Sequence, residues 1–131
     1  MKKLILSLIL VCTVVYSITS CRKADQRTRF TYYFIDNQTT SNLRVVPSIL
    51  SSTSDIYCDN CVVDANSINQ LASNITTVGD APPYETFDKI SIYRNDTLKM
   101  VLQDSSLVHF PWIKKVQTET ITDYTLTITN L

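Results

Sequence analysis

The stretch "RFTYYFID" (residues 29–36) decides the fold class. Its side chains alternate, with Phe30, Tyr32 and Phe34 on one face and Thr31, Tyr33 and Ile35 on the other. A period of two built from aromatic and β-branched residues reads as a strand. The segment "DNQTTSN" (Asp36 to Asn42) reads as the turn that ends it. Beyond the turn, "LRVVPSIL" (Leu43 to Leu50) is a second strand interrupted by Pro47, which has no N–H to give a ladder and is expected at an edge or a bulge.

The last third repeats the pattern. In "FDKISIYRNDTLKMVLQD" (residues 87–104), Ile90 and Ile92 share one face of a strand, Asn95 and Asp96 form a tight turn, and Leu98, Met100 and Leu102 share one face of the returning strand. "SSLVHFPWIKKVQTETI" follows as a long connection with some strand, and "DYTLTITNL" sets Tyr124, Leu126 and Ile128 against Thr125, Thr127 and Thr129. The middle is less regular. Ile68, Leu71 and Ile75 have helical spacing, but Asn66, Asn69 and Asn74 disfavour a helix, so "ANSINQLASNITTV" is read as irregular β structure. "GDAPPYETF" is a loop. Glu85 and Glu119 are the only glutamates and Gly79 the only glycine, so turns rest on Asn, Asp, Pro and Ser, and phosphate-cradling glycine loops are excluded. Six or seven short strands predict a single antiparallel β-sandwich of immunoglobulin-like type over residues 30–131, although no Cys…Trp…Cys spacing supports an antibody-type core.

The amino terminus gives an address. Met1, Lys2 and Lys3 precede a largely apolar run from Leu4 to Ile18, the layout of a secretory signal peptide and too short for a comfortable membrane span of roughly 20 residues. The run ends in "ITSC" (Ile18 to Cys21), which resembles the lipobox of bacterial lipoproteins: an aliphatic residue, two small ones, then a cysteine. That resemblance implies removal of residues 1–20, with Cys12 among them, and a diacylglycerol on the Cys21 thiol. Buried acyl chains contribute about 0.8 kcal/mol per CH₂, so several chains hold a protein to a membrane. Residues 21–29 then form a tether whose stretch "RKADQRTR" carries four basic groups and one acidic one. In lipoprotein sorting an Asp after the cysteine marks retention in the inner membrane; Arg22 stands there, so outer-membrane delivery is expected. Surface-export tags are acidic at this place, which favours the periplasmic face. In its lipobox, length and "ISIYRNDTL…YTLTITN" ending the chain resembles small β-rich lipoproteins of Bacteroidota type, a resemblance that implies no activity.

The mature chain has 111 residues, enough for one domain. With Lys2 and Lys3 gone, ten bases face twelve acids, a net charge near −2, and beyond the tether the bases are scattered. A nucleic-acid partner is not expected.

Chemistry is sparse. "CDNC" (Cys58, Cys61) admits a structural disulfide, a redox pair or half a metal site; Val62 and Val63 follow it in place of helix formers, and His109 is the only histidine, so the disulfide is preferred. Asp55, Asp59 and Asp64 lack the calcium-loop spacing and its glycine. Ser105 or Ser106, His109 and Asp104 have no nucleophile elbow, and His109 is read as a half-buried, hydrogen-bonded residue. Phe110, Pro111 and Trp112 are read as a core plug; exposed beside Tyr84 or Tyr93, Trp112 would instead mark a ligand site. "DTL" (Asp96 to Leu98) is similar to the short Asp-Ser/Thr-aliphatic O-glycosylation acceptor, with Thr97 as the acceptor. Neither cofactor nor metal is expected. The sequence therefore predicts an anchored, non-enzymatic envelope lipoprotein with a protein or glycan partner. The alternatives are a periplasmic thiol-disulfide enzyme using Cys58 and Cys61, and a surface glycan-binding module.

Overall fold

A computed structural model describes residues 27–131 apart from positions 51 and 104; the leader, Cys21 and most of the tether lie outside the described residues, as does Asp104. The elements run β1 (Arg29–Asn37), β2 (Leu43–Ile49), β3 (Ser54–Ile56), β4 (Cys61–Val63), β5 (Ser67–Thr76), α1 (Pro83–Thr86), β6 (Phe87–Arg94), β7 (Thr97–Gln103), α2 (Ser105–His109), β8 (Trp112–Thr118) and β9 (Ile121–Ile128). Five strands form one sheet in the order β3-β5-β1-β9-β8, and four form a second in the order β4-β2-β6-β7. Side chains from both sheets meet in one apolar core, with Tyr33, Ile35, Leu71, Leu126 and Ile128 from the larger sheet and Leu43, Val45, Phe87, Ile90 and Ile92 from the smaller. The fold is mostly β and sandwich-like.

Three expectations are corrected. The described residues hold nine strands, not six or seven, because β3 and β4 are three-residue pieces too short to announce themselves and the 104–120 connection contains a full strand, β8, after the short helix α2. The sheets are not wholly antiparallel, since β1 and β9 run parallel in register from Phe30↔Ile121 to Asn37↔Ile128. Strands so far apart in sequence are joined by no hairpin, and nothing local fixes their relative direction. Third, residues 67–76 are one ten-residue strand despite their asparagines. A bulge opposite Tyr33 and Phe34 inserts Leu71 as an extra residue, so that Leu71 and Ala72 are both buried while Ile68 and Ile75 face solvent. The helical spacing of those apolar residues was coincidental.

Other local readings hold. Asn95 and Asp96 take φ of 50° and 56°, the left-handed pair a two-residue hairpin requires. Pro47 lies in the half of β2 beyond the reach of β4, which pairs only with Leu43 to Val45, and beside a bulge at Ser48 and Ile49. Its missing N–H is therefore harmless to the sheet.

Where β1 gives way to the crossing into the second sheet, Asn37 is wholly buried. Its Nδ2 donates to the carbonyls of Ser41 (2.9 Å), Val63 (3.0 Å) and Asp64 (3.0 Å), and its Oδ1 accepts from the N–H and hydroxyl of Thr39. One amide thus ties the β1–β2 turn to the end of β4. Removing it strands buried carbonyls, each at about 1–3 kcal/mol. Asn37→Ala and Asn37→Asp should each lower unfolding stability by about 3 kcal/mol in urea titrations, the aspartate by placing acceptors against acceptors; a loss below about 1 kcal/mol would show that the turn holds itself.

Candidate functional site

The segment "GDAPPYET" (residues 79–86) packs on the inner side of the larger sheet, against Thr31 and Tyr33. Tyr33, at the centre of β1, donates its hydroxyl proton to the carbonyl of Ala81 (2.6 Å). That proton being used, Thr86 Oγ1 supplies the donor of the 2.6 Å bond to Tyr33, and itself accepts from Asn74 Nδ2 at 2.9 Å. The Ala81 N–H reaches Thr31 Oγ1, and the Tyr124 hydroxyl donates to Asp80, which also pairs with Lys114 Nζ at 2.8 Å. Burial raises the Tyr33 hydroxyl pKa well above its ordinary value against the opposing bonds from Thr86 and Asn74. Tyr124 is raised by burial, by its bond to Asp80 and by that carboxylate's charge. Partial burial pushes the Asp80 carboxyl up, but bonds from Lys114 and Tyr124 outweigh it and hold the group below its ordinary value. This loop is a polar plug, pinned shut by groups that stay in fixed protonation states around neutrality.

With Thr31, Tyr33, Ile35 and Asn37 facing inward, strand alternation turns Phe30, Tyr32 and Phe34 outward onto the solvent face of the larger sheet. Register sets their neighbours in rows. Phe30 stands between Ile75 and Ile121, Tyr32 between Ser73 and Asp123 with Lys115 beyond, Phe34 between Gln70 and Thr125 with Ile113 beyond, and Asp36 between Ile68 and Thr127. Tyr57, 61% exposed, follows β3 and its hydroxyl accepts from Ser73 Oγ at 3.4 Å, which brings a fourth ring to this face. Phe30 is 36% exposed, Ile75 42% and Ile113 60%. Asp36 and Asp123 each accept from a glutamine amide, Gln38 and Gln117, at 2.7 Å. These exposed aliphatic and aromatic side chains, with polar groups in their rows, make this face the candidate site.

The residues singled out from sequence do not converge. Cys58 and Cys61 are joined as a disulfide in the turn between β3 and β4, with Cα atoms 5.1 Å apart and Cys58 buried. Tyr93 lies on the smaller sheet beneath the Arg44 guanidinium, 4.0 Å from the ring centroid. Trp112 packs toward the core, stacked on Phe87 at 6.2 Å and edge-on to Tyr33 at 6.5 Å, and its buried indole N–H has no hydrogen-bond partner among the described residues. Trp112 and Tyr93 thus belong to different parts of the molecule. Tyr84 is exposed on α1, and Thr97 is exposed beside the β6–β7 turn. His109 ends α2 exposed, where a half-buried residue was expected, and Ser106 Oγ is engaged with the backbone of Gln103. Among the described residues no three His, Cys, Asp or Glu side chains gather as a metal site. The aromatic face was missed from sequence because "RFTYYFID" carries rings on both sides, and alternation alone does not say which side is dry.

No family model, no curated protein and no solved structure matches this chain.

The Asp80 cluster predicts an acid response. Because its folded pKa lies below the unfolded one, Asp80 contributes stability above about pH 4, and that contribution is lost as pH falls through the depressed folded value. Asp80→Asn should be about 1 kcal/mol less stable than the native chain at pH 7, a figure discounted for the partial exposure of both Asp80 and Lys114. The gap should close as the pH falls below about 4 in urea titrations; a gap independent of pH would show that the carboxylate's charge is not what holds the plug.

Proposed function

We propose that this protein is a lipid-anchored envelope protein whose β domain acts by binding, without a reaction of its own. The observation that carries the binding reading is the outer face of β1, where Phe30, Tyr32 and Phe34 project in line among Tyr57, Ile75 and Ile113. A sheet face with only a solvation role is ordinarily polar and charged, without a line of aromatic rings.

The anchor reading rests on the lipobox resemblance at Cys21. Arg22 after that cysteine and the basic tether support an outer-membrane address on the periplasmic face. The chain enters the domain beside the β8–β9 turn, where Arg27 bonds to the Glu119 carboxylate at 2.8 Å and Arg29 to its carbonyl at 2.6 Å. The six peptide steps from Cys21 to Arg27 span at most about 20 Å, so an acylated Cys21 would hold the domain close to the bilayer. The immunoglobulin-like reading of the domain is supported by two packed sheets over a single core, although their strand order differs from the ABED and CFG sheets of the type fold.

The rival thiol-disulfide reading has less behind it. Its cysteines close a turn shaped by Asn60 at φ 55° rather than opening a helix, so no helix amino terminus lowers a thiol pKa. Alkylation after mild reduction separates the two: a structural bridge should resist the reductant, whereas rapid labelling of Cys58 or Cys61 with a depressed thiol pKa would favour the enzyme.

The anchor is tested by intact-mass measurement of the protein made in a bacterial host beside a Cys21→Ser variant. A mature mass beginning at residue 21 with added acyl chains, absent from the variant, is the expected result. An unlipidated product cut elsewhere would overturn the anchor.

A further inference from the structure

Resting on the binding reading above, we infer that the outer face of the larger sheet is a platform for an extended, uncharged glycan lying along β1. The arrangement is repetitive in two directions. Along β1, Phe30, Tyr32 and Phe34 recur at two-residue steps of about 7 Å, and neighbouring strands are about 4.8 Å apart. Phe30 is exposed and Tyr32 and Phe34 are half-buried, and the negative face of an aromatic ring attracts the polarised C–H groups of a pyranose. Hydrogen-bonding groups that a sugar's hydroxyl rim needs stand in the same rows. Asp123 flanks Tyr32, Gln70 and Thr125 flank Phe34, and Asp36 and Thr127 form the next row. The two carboxylates are fixed as acceptors by Gln38 and Gln117.

Charge selects within the class. Among the described residues, Asp36, Asp55 and Asp123 in these rows face Lys115, whose register partner is Asp123, while Arg27 and Arg29 at the Phe30 end bond to Glu119. A phosphate- or uronate-rich polymer would meet like charge here, so the ligand is a neutral sugar chain. A protein partner is the weaker fit, because hot-spot contacts concentrate in desolvated pockets, and these rings stand along one strand flanked by polar groups on its neighbours.

The test uses full-length protein in a zwitterionic detergent without a sugar headgroup, applied to an array of neutral and anionic oligosaccharides of six or more units. Hits are then titrated by calorimetry against Tyr32→Thr and Phe34→Thr, which keep strand propensity, and against Tyr93→Thr on the other sheet. Thermal unfolding of each variant checks that it is folded. The expected result is binding of at least one neutral chain, weakened tenfold or more by Tyr32→Thr or Phe34→Thr, with Tyr93→Thr unchanged. Binding only to anionic chains, binding to no neutral chain, or binding indifferent to both β1 variants overturns the proposal. A photo-crosslinking residue at position 32, used in cells, separates this failure from failure of the binding reading. Crosslinks to one envelope protein without glycan binding would sink the glycan and leave the interaction surface, whereas neither crosslink nor glycan would sink both.

Discussion

The Tyr33 ring stands where both sheets and the plug meet. It lies edge-on to Phe87 at 5.0 Å, stacks on Tyr124 at 6.0 Å and is edge-on to Trp112. Its hydroxyl is wholly buried and must be satisfied, and the partners it finds, Ala81 and Thr86, belong to the segment that closes the end of the sandwich. A buried hydroxyl without partners costs several kcal/mol against an apolar interior. The position of that segment, of α1 after it and of Phe87 at the start of β6 therefore follows from one polar atom on the central strand.

Beside Tyr33 the inner side of the larger sheet is closed by the loop containing Pro82 and Pro83 and by Trp112, with a hydrogen bond from the Ala81 N–H to Thr31 and others from Asn74 to Thr86 and from Tyr124 to Asp80. The arrangement frees the opposite face of β1 from any structural duty. Inward residues hold the fold, and outward ones are available for recognition. Fold and proposed function thus occupy opposite sides of the same nine residues.

Much of this was legible in sequence, but unevenly. Alternation in β1 and β9 and the Asn95–Asp96 hairpin could be read because their periodicity is unbroken over six or more residues. β5 could not, since its bulge at Leu71 shifts the parity halfway and its asparagines carry low strand propensity, overridden here by pairing with β1 and β3. β8 was obscured because it is an edge strand exposed on both faces beyond Trp112, leaving no apolar alternation to detect. Asn37 and Thr86 looked like turn and loop residues; their burial depends on partners distant in sequence. The candidate site was half visible: the alternation of rings at residues 30–34 was plain, but not which side met solvent, and Trp112, the more conspicuous ring, drew attention to a position that packs inward.

The most direct test of the central claim, that the outer side of β1 serves recognition, is residue-resolved hydroxyl-radical footprinting of the protein in its own envelope and again after purification. The account predicts that Phe30, Tyr32, Phe34 and Tyr57 are oxidised less in the envelope than in the purified protein, while Tyr84 and His109, exposed elsewhere, react alike in both. Equal oxidation of the four rings in the two states would contradict it.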